Sequence, residues 1–157
     1  MIHRLLRSAD FERVLRTRSW ANSVHFAVHH VADAPGASGL PRDGIAPAHP
    51  AELSTGRMAD ADPLVDDFAG LTELWLGAVV PKRHARRAVT RTLFKRQIRV
   101  AVSRHVETLA RGLWVVRLRA PFDRAIFVSA ASDALKRAVR LELEQLLGGA
   151  ARRAGRA

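Results

Sequence analysis

The sequence has no cysteine in its 157 residues, which excludes disulfides, thiolate chemistry and cysteine-based zinc sites. No apolar run approaches the roughly 20 residues that a bilayer span requires, and Met1 to Arg18 lacks the apolar stretch of a secretion signal, so a cytoplasmic location with no membrane association is expected. Internal repeats are missing too. Acid is absent over one long stretch, with no Asp or Glu between Glu73 and Glu107.

What is present is base. Lys and Arg number 26 against 15 Asp and Glu, a formal charge of +11, and such a surplus on a small domain points to a polyanionic partner. The charge is unevenly spread. Residues 33–70 hold five of the seven Pro, five of the ten Gly, seven acids and two bases, a local balance of −5 that leaves +16 on the remainder. Pro, Gly, Ala and scattered acids bury too little apolar surface to order themselves. This span is therefore expected to be a flexible acidic insertion in a single domain covering residues 1–150, with 151–157 a disordered basic tail.

The rest alternates helix and strand. Ser8 is a candidate N-cap, and Phe11, Val14 and Leu15 have helical spacing, giving a helix over residues 9–18. Residues 24–31 place Val24, Phe26 and Val28 on one side and His25, Ala27 and His29 on the other, which predicts a strand. Two apolar strands are expected at 74–80 and 113–118, the second stopped by Ala120-Pro121. Between them a long helix is expected from about Arg86 to Ala110. A last helix carries Leu135, Ala138, Val139, Leu143 and Leu146 and is expected to end at Gly148-Gly149.

The functional signal lies in the acid-free stretch. Lys82, Arg83, Arg86, Arg87, Arg91, Lys95, Arg96 and Arg99 fall within eighteen positions. On a helix, Arg87, Arg91, Lys95 and Arg99 form one ridge, and like charges at that spacing repel by a few tenths of a kcal/mol per pair. A solvated structural face mixes signs; this one does not. Phosphates along the ridge would remove the repulsion and release counterions. An apolar stripe of Phe94, Ile98, Ala101, Val102 and Val106 runs beside the ridge and supplies the core face.

The segment from Gly77-Ala-Val-Val-Pro-Lys82-Arg83 through Arg87-Ala88-Val-Thr-Arg91-Thr92-Leu93-Phe94-Lys95-Arg96-Gln-Ile-Arg99 resembles the signature of the bacterial ribonuclease P protein family. Arg4 to Leu15 is similar to that family's opening helix, and Trp114 to Pro121 to its late strand and following turn. Three departures stand out: Thr92 occupies the family's Asn position, Leu93 that of the second Arg in the motif, and Val100 that of a Glu. The resemblance implies an α/β two-layer sandwich in the order αβββαβα around a mixed four-stranded sheet, similar to domain 2 of ribosomal protein S5, with a left-handed βαβ crossover. Only three of those strands stand out in the sequence; the missing short one is expected near Trp20 or beside the insertion. The resemblance also implies an RNA-binding subunit of a ribonucleoprotein that removes the 5′ leader of precursor tRNA, with hydrolysis carried out by a catalytic RNA using Mg²⁺. Its partners would be that RNA and precursor tRNA, with no obligate protein partner. Contact with the catalytic RNA is expected from Lys82, Arg83, Arg86, Arg87, Arg91, Thr92, Lys95, Arg96 and Arg99. A cleft between the first helix and the sheet, taking the single-stranded leader, is expected to involve Phe11, Leu15, Phe26 and Val28.

Other readings are weaker. A nuclease acting by itself needs carboxylates clustered for metal ions, and the sole cluster, Asp60, Asp62, Asp66 and Asp67, falls in the insertion. His25, His29 and His30 are better explained as strand polarity than as metal ligands, and no Ser or His sits in a nucleophile-elbow context. A membrane-surface helix lacks the wide apolar face and Trp anchors it needs. The rival of substance is a ribosomal or ribosome-assembly protein that binds RNA without any part in cleavage.

Overall fold

A computed structural model describes residues 1–36, 73–127, 129 and 132–156. Its elements run β1 (Ile2–Arg4), α1 (Ser8–Arg16), β2 (Ala21–Asn22), β3 (Phe26–Val31), β4 (Leu74–Val79), α2 (Ala88–His105), β5 (Gly112–Leu118) and α3 (Asp133–Ala154). The five strands form one mixed sheet in the order β1-β4-β5-β3-β2. The expected αβββαβα succession is there, with the short strand at Ala21–Asn22, close to Trp20. One strand more precedes it, since β1 pairs in parallel with β4 from Leu74 to Leu76. Among the described residues the sheet therefore has five strands, not four.

The apolar run of β5 places it mid-sheet, parallel to β4 and antiparallel to β3, because a strand covered on both faces has no polar side to present. Trp114, Val116 and Leu118 join α2 and α3 in the main core, whereas Leu113 and Val115 meet Val14 of α1 and Leu5 in a second, smaller one. Gly112 begins β5 at φ +124°, where a Cβ would sit 2.4 Å from the Val31 carbonyl oxygen; only glycine fits that close approach.

Three boundaries differ from expectation. Ser8 does not cap α1: Arg7 is the N-cap residue and makes no side-chain cap bond. Helix α2 is shorter at both ends than the span 86–110. Pro81 O accepts the amides of His84 and Ala85 in a tight turn ahead of it, and His105 O accepts those of Thr108 and Leu109 after it. Helix α3 passes through Gly148-Gly149 to Ala154, so residues 151–154 are helical rather than part of a disordered tail. The glycine pair costs about 1 kcal/mol per residue, but Leu146, Leu147 and Ala150 on the same turns are buried. Trp20 staples those turns: its Nε1–H donates to Ala150 O (3.1 Å), Arg153 Nη1 donates to Trp20 O (2.7 Å), and the Arg153 guanidinium lies 4.8 Å from the Trp20 ring centre.

The insertion also begins later than residue 33. Arg13 of α1 holds Asp33 (Nη1 to Oδ2, 3.2 Å) and the Ala34 carbonyl (Nη2, 2.8 Å), while buried Asp10 accepts the Gly36 amide at 3.0 Å. Residues 33–36 are thus part of the domain. The remainder of the expected insertion, with its four clustered aspartates, lies outside the described residues.

Two buried histidines give the fold a pH dependence. His30 stacks on Trp114 with ring centres 4.3 Å apart and contacts Arg111 O through Nε2; His29 contacts Thr17 O through Nδ1. Burial lowers both from the ordinary histidine value of 6.5, and for His29 the nearby Arg117 lowers it further. The folded state therefore refuses protons that the unfolded chain accepts below about pH 6.5, so stability falls as pH drops through that value. Glu142 and Glu144 are held below 4.5 by their hydrogen bonds and cation neighbours, against the opposing effect of burial; their stabilisation is lost only at lower pH. The expected melting temperature is level above about pH 7 and declines as pH falls below about 6.5, with a shallower decline in His30→Phe. Equal slopes in the parent and the variant would contradict this account of His30.

Candidate nucleic-acid interface

Helix α2 lies across the sheet through Leu93, Phe94, Gln97, Ile98, Ala101 and Val102, all buried. Leu93, standing where the motif has an Arg, is one of these core residues, which is why an apolar side chain suits it. With that face inward, Arg87, Thr92, Lys95, Arg96 and Arg99 are exposed, as are Lys82, Arg83 and Arg86 in the approach to the helix. The first turn holds no acid and the N-cap Arg87 makes no side-chain cap bond. The positive end of the helix dipole is thus surrounded by cations rather than balanced by anions.

The ridge is not one continuous line. Arg91 is half-buried and turns back on its own approach loop, Nη1 donating to Ala85 O (3.0 Å) and Arg86 O (2.7 Å). It ties the basic loop to the helix, a job that sequence spacing could not separate from phosphate binding. On one side of it Arg87 faces a cavity at the helix N-terminus; on the other, Lys95 and Arg99 face a groove.

That groove, about 530 Å³, is the site's main feature. Because β1 pairs with β4 only as far as Leu76, the edge of β4 at Gly77 and Ala78, between α1 and α2, has no neighbouring strand on that side among the described residues. The chain leaves β1 at Leu5, whose amide donates to Leu76 O at 3.0 Å. Ile2, Leu5, Leu6, Phe11, Leu76, Gly77 and Ala78 supply an apolar floor, and Arg4, Thr92, Lys95, Arg96 and Arg99 supply polar and basic walls. Phe11 lies directly against Gly77: a Cβ there would come 2.3 Å from Phe11 Cε1. An aromatic floor beneath cationic walls suits a single-stranded nucleic acid, which presents bases to stack and phosphates to neutralise.

The four residues expected in the leader cleft separate. Phe11 lines the groove. Leu15, half-buried, packs on the second core with Val31, Trp75 and Val79. Phe26 and Val28 are fully buried on the opposite face of the sheet, in the main core beneath α2 and α3, so they cannot line a cleft on the α1 side. The alternation along β3 is as expected, but both sides of the strand are covered, and hydrophobicity alone does not tell which side meets α1. Missed by the sequence reading were Arg4, placed by a strand too short for any periodicity, and the segment after β5, where Arg124 stands between Phe122 and Phe127. The mixture of aromatic and basic residues there was the available signal.

Among the described residues no three His, Asp or Glu side chains gather as metal ligands, and no helix is long and apolar enough to cross a membrane.

A family model described as Ribonuclease P matches residues 2–146. The chain is 32% identical over 153 residues to the ribonuclease P protein component of Burkholderia pseudomallei (strain 1106a), covering 98% of this chain and 85% of that one. It is 31% identical over 151 residues to the component from Paraburkholderia xenovorans (strain LB400), covering 95% and 81%. Its fold is similar to that of the Staphylococcus aureus RNase P protein, with a TM-score of 0.54 at 18% identity over 93% of each chain.

Proposed function

The chain belongs to the ribonuclease P protein family, and on that premise we propose that it grips the catalytic RNA through the exposed cations of α2 and its approach loop, and the 5′ leader of precursor tRNA through the groove floored by Phe11. The observation that carries this reading is the groove itself, which sets one aromatic ring and the β4 edge at Gly77 and Ala78 beside Thr92, Lys95, Arg96 and Arg99. Lys82, Arg83, Arg86 and Arg87 extend the same positive surface toward the helix N-terminus. Hydrolysis then falls to the RNA subunit with its Mg²⁺. The protein's part is to neutralise phosphates and hold the single strand in place.

A ribosomal or assembly role would use a similar basic surface, and the two readings separate by what the protein carries with it. Affinity purification from its own cells is expected to bring down one abundant, discrete RNA that cleaves precursor tRNA when supplied with Mg²⁺. Recovery of ribosomal RNA in its place would favour the rival.

A further inference from the structure

A second cavity lies at the other end of the basic surface, at the N-terminus of α2, and no step above uses it. It measures about 270 Å³ and is lined by Arg86, Arg87, Arg124, Phe94, Phe122 and Phe127 among others, with no acid in the lining. That is close to the lower end of ordinary ligand pockets, about 300 Å³. The three arginines are exposed, and none of their guanidinium groups makes a hydrogen bond or ion pair among the described residues. Beside them is the N-terminus of α2, whose N-cap Arg87 makes no side-chain cap bond, and a helix N-terminus suits a phosphate.

The aromatic side is held in place. Phe122 stacks on His25 with ring centres 3.8 Å apart and planes 13° from parallel, and it meets Phe94 at 5.4 Å and Phe127 at 5.8 Å. His25 is itself fixed by Glu142, which accepts its backbone amide at 2.7 Å and contacts its Nδ1 at 2.7 Å, while Ser23 Oγ donates to the same carboxylate at 2.5 Å. A loop phenylalanine is thereby anchored to α3 through two intervening side chains. Fixing a ring before binding removes part of the ordering cost that binding would otherwise meet.

We propose that this cavity takes one unpaired nucleotide of the catalytic RNA, its phosphate on Arg86, Arg87 and Arg124 at the α2 N-terminus and its base against the rings of Phe122 and Phe127. The proposal rests on the reading of α2 as the RNA-subunit face, since Arg87 joins the cavity to the exposed cations of that helix. It adds an extruded base to what would otherwise be a purely electrostatic interface.

The test measures binding of the full chain to its catalytic RNA over a series of salt concentrations, with Phe122→Leu, Phe122→Trp, Arg124→Gln and the Lys95, Arg96, Arg99 triple alanine variant in parallel. Phe122→Leu should lower affinity by about 5–150-fold with an unchanged salt slope, and Phe122→Trp should retain most of it. Arg124→Gln should reduce the slope by about 0.7–0.9. Because Arg124 is exposed and without an ion pair among the described residues, that arm stands even if Phe122→Leu fails to fold. Parent-like binding by Phe122→Leu and Arg124→Gln, alongside a weakened triple variant, would overturn the cavity and leave the proposed function standing. Parent-like binding by all of them would overturn both. Weakening seen only once precursor tRNA is added would overturn the assignment to the RNA subunit.

Discussion

Replacing Lys95, Arg96 and Arg99 together by alanine is expected to lower affinity for the catalytic RNA or its precursor complex by roughly 100–500-fold near 0.1 M salt, and to flatten the salt dependence by about 2–3 units. Every phosphate that goes without its cation takes about 0.7–0.9 off the slope of log K against log salt, and three such effects compound. The same substitution should not weaken the fold. All three side chains are exposed, alanine is the best helix former, and removing like charges at i,i+3 and i,i+4 relieves a repulsion of a few tenths of a kcal/mol per pair. An equal or higher melting temperature together with weaker binding is therefore the expected pattern. A parallel fall in both would mean that these side chains serve structure, and an unchanged salt slope would mean that they do not meet phosphate.

Phe11→Ala should weaken binding of precursor tRNA by the assembled ribonucleoprotein about 5–150-fold, because one base loses the ring it stacks on, with little effect on mature tRNA. Mature tRNA lacks the leader that the groove would hold. Phe11 also packs on the second core, so truncation costs some stability, less than the about 3–5 kcal/mol of a fully buried phenylalanine because the ring is half-buried. Comparing the two tRNAs on one variant cancels that effect, since instability weakens both alike. Equal weakening of the two would make Phe11 a packing residue and remove the leader from the groove.

Much of this architecture is legible in the sequence for identifiable reasons. The strands at 74–79 and 112–118 are apolar enough to announce burial on both faces, and the acid-free helix between them announces both its core stripe and its charge. Length and face were harder. β1 spans three residues, fewer than any alternation requires, yet it shapes the groove by ending at Arg4. Gly148-Gly149 carried the expected signal for a helix end, and long-range bonds from Trp20 overrode it. Phe26 and Val28 had the right alternation but sit on the other side of the sheet from α1. Arg91 had the spacing of a phosphate ligand, and its Nη1 also donates to the carbonyls of Ala85 and Arg86. In each case the deciding partner is distant in sequence or belongs to the backbone, where composition and periodicity carry no signal.

Precursor tRNA cleavage by the cognate RNA at low Mg²⁺, with and without this protein, tests the central claim most directly. The parent chain is expected to restore leader removal at a Mg²⁺ concentration where the RNA alone is slow, the triple variant of α2 to restore little of it, and the protein freed of RNA to cleave nothing. Cleavage no faster with the protein than without it would contradict the account.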